Sequence, residues 1–233
     1  MSEIRTVGSI TYELTRKKVK NINLRINRDG KVSVSAPPRS TIKYIEGFIA
    51  AKESFILEHL QKIAEQPTIS GYEEGDIFYY LGKSYPLKVV VGTTDRAEII
   101  GETLTLTLRE PENRGVRGYE VERFFRLQAR VVLTDQINLV HPKFAEVYGV
   151  PMPKFTIKDM KSRWGSCQPV TGKISLNRGL VHVPPECITY LLFHEYAHLI
   201  EPNHSPQFHE VVAQFMPDHK VQRKRLKEFG FLL

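Results

Sequence analysis

The sequence predicts an α+β protein: a β-rich N-terminal part that carries a helix, then a part built on a long helix, an apolar helix and a small antiparallel sheet. Three observations lead there. Apolar and polar residues alternate with period two over 10–36, and strand-like runs recur over 67–110. Apolar residues return at helical spacing along 119–141 and again around 188–199. Between these patterns, residues 110–115 read Glu-Pro-Glu-Asn-Arg-Gly, polar and rich in helix breakers. We place a boundary there, with 1–112 as the N-terminal part and 113–233 as the second part.

In chain order, Ile22, Leu24 and Ile26 face Val32 and Val34 across Arg28-Asp29-Gly30-Lys31, the pattern of a β-hairpin. Pro37-Pro38 ends it, and Ser40 or Thr41 caps a helix whose apolar positions Ile45, Phe48, Ile49, Phe55, Ile56 and Leu60 carry it to about Ala64. The runs 78–81, 85–91 and 104–108, with turns at Gly82-Lys83 and Gly92-Thr93, predict a small antiparallel sheet. Val121, Phe125, Ala129, Val132, Ile137 and Val140 then form a core-facing stripe on a helix over about 119–141. Residues 155–158 and Lys173–Asn177 read as strands, with Pro169-Val170-Thr171-Gly172 turning between them. Pro184-Pro185-Glu186 opens the next helix.

Bulk properties narrow the function classes. The chain has 233 residues, 41% hydrophobic and 25% charged, enough apolar material to bury a core. It has no run of about 18 uncharged apolar residues and no apolar stretch behind Met1-Ser2-Glu3-Ile4-Arg5, so we expect a cytoplasmic protein without a membrane span. Cys167 and Cys187 are too few for a disulfide framework and read as reduced thiols. The net charge of +7 biases the surface toward polyanions, nucleic acid and nucleotides among them. Basic residues gather at 16–20 and at 220–227; a solvated strand edge and a solvated helix face are the simpler account of both.

The chemistry lies in His194-Glu195-Tyr196-Ala197-His198, inside the apolar run Ile188, Leu191, Leu192 and Leu199. Helical periodicity puts positions i and i+4 on one face, so the two imidazoles can share a zinc ion at about 2.0–2.1 Å each, with Glu195 beside it and able to reach a water on the metal. Three protein ligands would leave a fourth position open for that water, whose pKa zinc lowers toward about 7, and Glu195 would carry its proton to the leaving group.

Four segments stand in series: Arg163-Trp164-Gly165-Ser166-Cys167, Gly172-Lys173-Ile174-Ser175-Leu176-Asn177, the His194 to His198 motif, and Asn203-His204-Ser205-Pro206-Gln207-Phe208. The series resembles the YgjP-like predicted metallopeptidases, related to the SprT and WLM zinc proteases, and Asn23-Leu24-Arg25-Ile26 through Ala36-Pro37 resembles that family's opening hairpin. The resemblance implies a zincin-like catalytic domain, with His194, His198 and His204 as metal ligands and Glu195 as base. Where many relatives carry Trp after Phe208, this chain has His209, which we expect to be packed or substrate-facing.

Geometry also favours His204 over Glu201 as the third ligand. His194, His198 and Glu201 on one straight helix would span about 10 Å of rise, too far for one tetrahedral ion. Pro202 forces a turn and Ser205-Pro206 starts a new helix, which leaves His204 free to point back. The segment 163–167 would border the site, with Trp164 packed under the sheet, Gly165-Ser166 allowing close backbone approach, and Cys167 a small buried hydrophobe.

The leading expectation is therefore a zinc metallopeptidase acting on peptide or protein, with Lys173–Asn177 as an edge strand on which an extended substrate pairs. The same ligands would also suit a nucleotide phosphoanhydride hydrolase, to which positive charge would draw substrate. A nucleic-acid-binding module with structural zinc is a weaker third, since structural sites are usually closed by four ligands and have no use for a Glu between the histidines.

Overall fold

A computed structural model describes residues 2–27, 30–64 and 71–232. The chain divides into two compact units, 1–68 and 69–233. In the first, β1 (Ser2–Val7), β2 (Ile10–Arg16), β3 (Asn23–Ile26) and β4 (Val32–Ala36) form a sheet in the order β1-β2-β4-β3. The expected hairpin is β3–β4, with Leu24 opposite Val34 and Ile26 opposite Val32; Arg28 and Asp29 of its turn lie outside the described residues. β2 pairs with β1 through a turn at Gly8 (φ 57°) and runs parallel to β4, a pairing that alternation alone does not specify.

The inward residues Ile10, Tyr12, Leu14, Val32, Val34 and Ala36 pack with Ile45, Ile49 and Ile56. The single helix expected up to about 64 is two, α1 (Ile42–Ala50) and α2 (Glu53–Ala64). Thr41 is the cap: its side chain accepts from the Tyr44 amide at 3.3 Å.

The second unit opens with β5 (Ile77–Tyr80), β6 (Lys83–Val91), β7 (Arg96–Ile100) and β8 (Thr103–Leu108), ordered β5-β6-β8-β7. This sheet is mixed, not wholly antiparallel as expected. The chain leaves β6, lays down the unforeseen edge strand β7, and returns as β8 parallel to β6.

Helix α3 (Arg114–Tyr148) is longer than its apolar stripe suggested. Asn113 caps it through a side-chain bond from the Val116 amide, and Gly149 closes it in the left-handed region at φ 64°. Pro142 sits within the helix instead of ending it.

This helix ties the β5–β8 sheet to the histidine helix within the second compact unit. Val121, Phe125 and Ala129 are buried in one cluster with Phe78, Leu87, Leu104, Leu106 and Leu108. Leu133, Ile137, Val140 and Phe144 continue the same helix into the core around the His-Glu-His helix. A cut before α3 would expose the apolar faces of both the helix and the sheet, at about 25 cal/mol for each Å² laid bare.

The remaining strands are β9 (Lys154–Lys158), β10 (Gly165–Gln168) and β11 (Lys173–Asn177), ordered β10-β11-β9. The predicted turn at 169–172 joins β10 to β11, with Gly172 at φ 60°. Lys173–Asn177 is therefore the central strand, antiparallel to β10 and parallel to β9. Its expected role as an edge strand is corrected: β10, unread from the sequence, holds the edge beside the histidine helix.

Helices α4 (Pro185–Ala197), α5 (Pro206–Phe215) and α6 (His219–Glu228) complete an α+β protein. Among the described residues no helix is long and apolar enough to cross a membrane.

Candidate active site

Helix α4 is apolar on nearly all sides. Ile188, Leu191, Leu192, Phe193, Tyr196 and Ala197 are all buried, which fixes the rotation of the helix and hence where His194 and Glu195 project. It ends at its cap residue His198, with the amides of Leu199 and Ile200 folding back onto the carbonyls of Tyr196 and Ala197. Pro202 follows, and the Ser205 hydroxyl caps α5 by accepting from the Phe208 amide at 3.3 Å.

His204 stands in this bend and turns back onto the end of α4. Its Nε2 lies 3.2 Å from Nε2 of His194. His198 completes the group, its ring centroid 5.0 Å from that of His194 and 4.7 Å from that of His204. One nitrogen from each ring falls within 4.8 Å of the others, and these three residues form the metal-competent cluster among the described residues.

The spacing suits a cation. Ligands at 2.0–2.1 Å on a tetrahedral ion stand about 3.3 Å apart, close to the His194–His204 separation. Phe208, fully buried, floors the cluster with its ring centroid 4.9, 4.6 and 4.7 Å from those of His194, His198 and His204.

Glu195 is 3% exposed, and its Oε2 is buried without a hydrogen-bond partner. Burial pushes its carboxyl up to about 7, opposed by the positive charge of Arg163. Burial likewise pushes His194 down to about 3, reinforced by the facing His198, His204 and Arg223, and lowers His198. Neutral imidazoles are the form that binds metal.

β10 runs beside this helix so closely that a Cβ on Gly165 would stand 2.6 Å from Glu195 Oε1. The close backbone approach expected at Gly165 is thus present, and Trp164 is buried in the same core. A cleft of about 480 Å³ opens here, lined by Arg163, Gly165, Ser166 and Cys167 on one side and by His194, Glu195, His198 and His204 on the other. The Cys167 thiol is half-buried and pushed up to about 11 by burial, then by Glu195, so it stays protonated near neutral pH.

Glu201 and His209 lie outside the cluster. The Glu201 carboxylate accepts from the Asn203 amide at 3.3 Å, stiffening the bend, and His209 stacks on His219 with centroids 6.0 Å apart.

Sequence reading missed two supporting residues. Asn177 donates to the carbonyls of Met160 and Arg163 at 2.7 and 3.0 Å and accepts from the Gly179 amide, pinning the loop that delivers Arg163 to the cleft. An Asn two residues before a Gly is a local signal for its last bond, but nothing local announces the first two. Arg163 itself was read only as part of a motif.

The family described as YgjP-like, metallopeptidase domain, matches residues 20–229. No curated protein matches the chain. Among solved structures, the chain is similar to the metallopeptidase zymogen of Methanocaldococcus jannaschii jannalysin, at 21% identity and a TM-score of 0.35, over 43% of this chain and 97% of that one.

Proposed function

Because the chain belongs to the YgjP-like metallopeptidase family, we propose that it is a zinc-dependent peptidase in which His194, His198 and His204 hold the metal and Glu195 is the general base. The observation that carries this reading is the meeting of three imidazole nitrogens beside a buried carboxylate with an unpartnered oxygen. Three borderline-soft nitrogen ligands suit zinc better than magnesium or calcium, which prefer oxygen. Bound there, zinc would supply Lewis acidity and acidify water at its open position.

Glu195 would take the proton of the attacking water and pass it to the departing nitrogen, which leaves poorly as an anion. The β10 edge borders the cleft and would be where an extended peptide pairs, in the role first expected of Lys173–Asn177.

The test is hydrolysis of casein and of nucleoside triphosphates by zinc-loaded protein, with and without chelator. Chelator-sensitive casein cleavage is the expected result. Phosphate release from triphosphates alone would replace the peptidase reading with phosphoanhydride hydrolysis. DNA binding that ignores the chelator, with neither substrate turned over, would favour a structural metal.

A further inference from the structure

A second cavity, of about 400 Å³, shares His194 with the Glu195 cleft and is lined by Phe208 as well. The sequence offered a solvated helix face as the simpler account of the basic run at 220–227. The structure gives that face a cavity to line. Positions 220, 223, 224 and 227 recur at helical spacing along α6, and the side chains Lys220, Arg223, Lys224 and Lys227 all border the cavity. No Asp or Glu does.

Among the described residues none of these four cations is paired with a carboxylate, whereas Arg225, which does not line the cavity, sits 3.5 Å from Glu186. Tyr190, 5% exposed, faces the same space from α4. Four like charges along one helix repel one another, and an anion between them relieves that repulsion.

A second feature points to a polar ligand as well. His219 is 7% exposed, lines the cavity and has a buried Nε2 without a partner, while its Nδ1 lies 3.3 Å from the Met216 carbonyl. The Nε2 atom is thus a buried polar position on this wall that no described protein group satisfies. His209, at the position where many relatives were expected to carry Trp, stacks on this ring and widens the polar wall.

We propose that this cavity is a specificity subsite for a carboxylate of the peptide substrate, either an Asp or Glu side chain near the cleaved bond or the C-terminal carboxylate. It rests on the peptidase reading above. Because His194 borders both cavities, a chain lying along β10 and passing the histidine cluster would enter the basic cavity within a few residues. Arg223 is the leading contact, since its planar fork matches a carboxylate with two parallel hydrogen bonds.

The experiment uses full-length, zinc-loaded protein and quenched fluorescent peptides in which Glu or Gln is scanned across the positions flanking the cleaved bond, each made with a free and an amidated C-terminus. The expected result is a preference of about tenfold or more in kcat/KM for one carboxylate placement. The Glu and free-acid arms say which source supplies it. Arg223→Glu should lower that carboxylate-to-amide ratio by at least about tenfold with zinc content unchanged, and Arg225→Gln should leave the ratio as it was.

Equal cleavage of acidic and amide peptides overturns the subsite while leaving the peptidase reading intact. So does an Arg225→Gln effect as large as that of Arg223→Glu, which would mean general surface charge. Refusal of every peptide, neutral ones included, sinks the peptidase reading and the subsite with it. Chelator-sensitive phosphate release in that case would reassign the cavity's cations to phosphate.

Discussion

Gly165→Ala puts a methyl carbon 2.6 Å from Glu195 Oε1, 3.0 Å from its Cδ and 3.1 Å from its Cγ. Ordinary contact starts at 3.4 Å, so carboxylate and strand must separate by 3.4 − 2.6 = 0.8 Å. Glu195 relieves the clash only by moving its carboxylate away from the place it holds beside the histidine cluster. β10 is hydrogen-bonded on one flank to β11, so its retreat would strain that ladder. Gly165 has no left-handed backbone to protect, which leaves the steric term as the dominant one.

Misplacement of a catalytic group by about 1 Å costs on the order of a hundredfold in rate, and overpacking of this size costs about 1–3 kcal/mol of stability. We therefore expect Gly165→Ala to fold with a lowered Tm, to keep its zinc because the three histidines are untouched, and to lose about a hundredfold in kcat. The assay is turnover at saturating peptide together with metal content by elemental analysis. Wild-type kcat in fully loaded Gly165→Ala would refute the placement of Glu195 as the acting base.

Four further outcomes are expected. Glu195→Gln should retain zinc and lose at least about a hundredfold in turnover, checked by parallel metal and activity measurements, since the amide keeps the shape and removes the base. His198→Ala should abolish stoichiometric zinc and His204→Ala should weaken it strongly, while Glu201→Ala and His209→Ala keep the metal; zinc titrations of the four side by side decide the ligand set. Phe208→Ala removes a fully buried ring under all three imidazoles and should cost about 3–5 kcal/mol, read as a denaturation midpoint, with weaker zinc binding besides.

The fourth concerns pH. His194 is held down to about 3 by burial, so the unfolded chain binds more protons than the folded one below the ordinary histidine value of 6.5. This contribution is full above 6.5 and is lost as pH falls toward about 3; Glu195, raised to about 7, acts in the opposite sense by taking up a proton in the folded state, so the loss of Tm across that window is expected in metal-free Glu195→Gln, which lacks that group. A Tm flat over the same range in that metal-free variant would count against burial of a neutral His194.

What the sequence determined by itself is what local geometry dictates. An i, i+4 histidine pair enclosing a Glu shares one face of any α-helix, Thr41 and Ser205 find their amides three residues on, and Pro202 makes a bend that lets His204 return. The α+β class was legible for the same reason, since periods of 2 and 3.6 are written into the order of residues.

Only the tertiary structure decided the rest. Alternation shows that a segment is a strand but not which strand lies next to it, so the central place of β11, the edge place of β10 and the parallel β6–β8 pairing were hidden. A stripe on α3 says that it buries a face but not that two cores share it. Gly165 against Glu195, Phe208 beneath three imidazoles and the cations of α6 around a cavity bordered by His194 depend on segments far apart in sequence. Their meeting is set by long-range burial of apolar surface, which fixes which faces come together and leaves no periodic trace in any one segment.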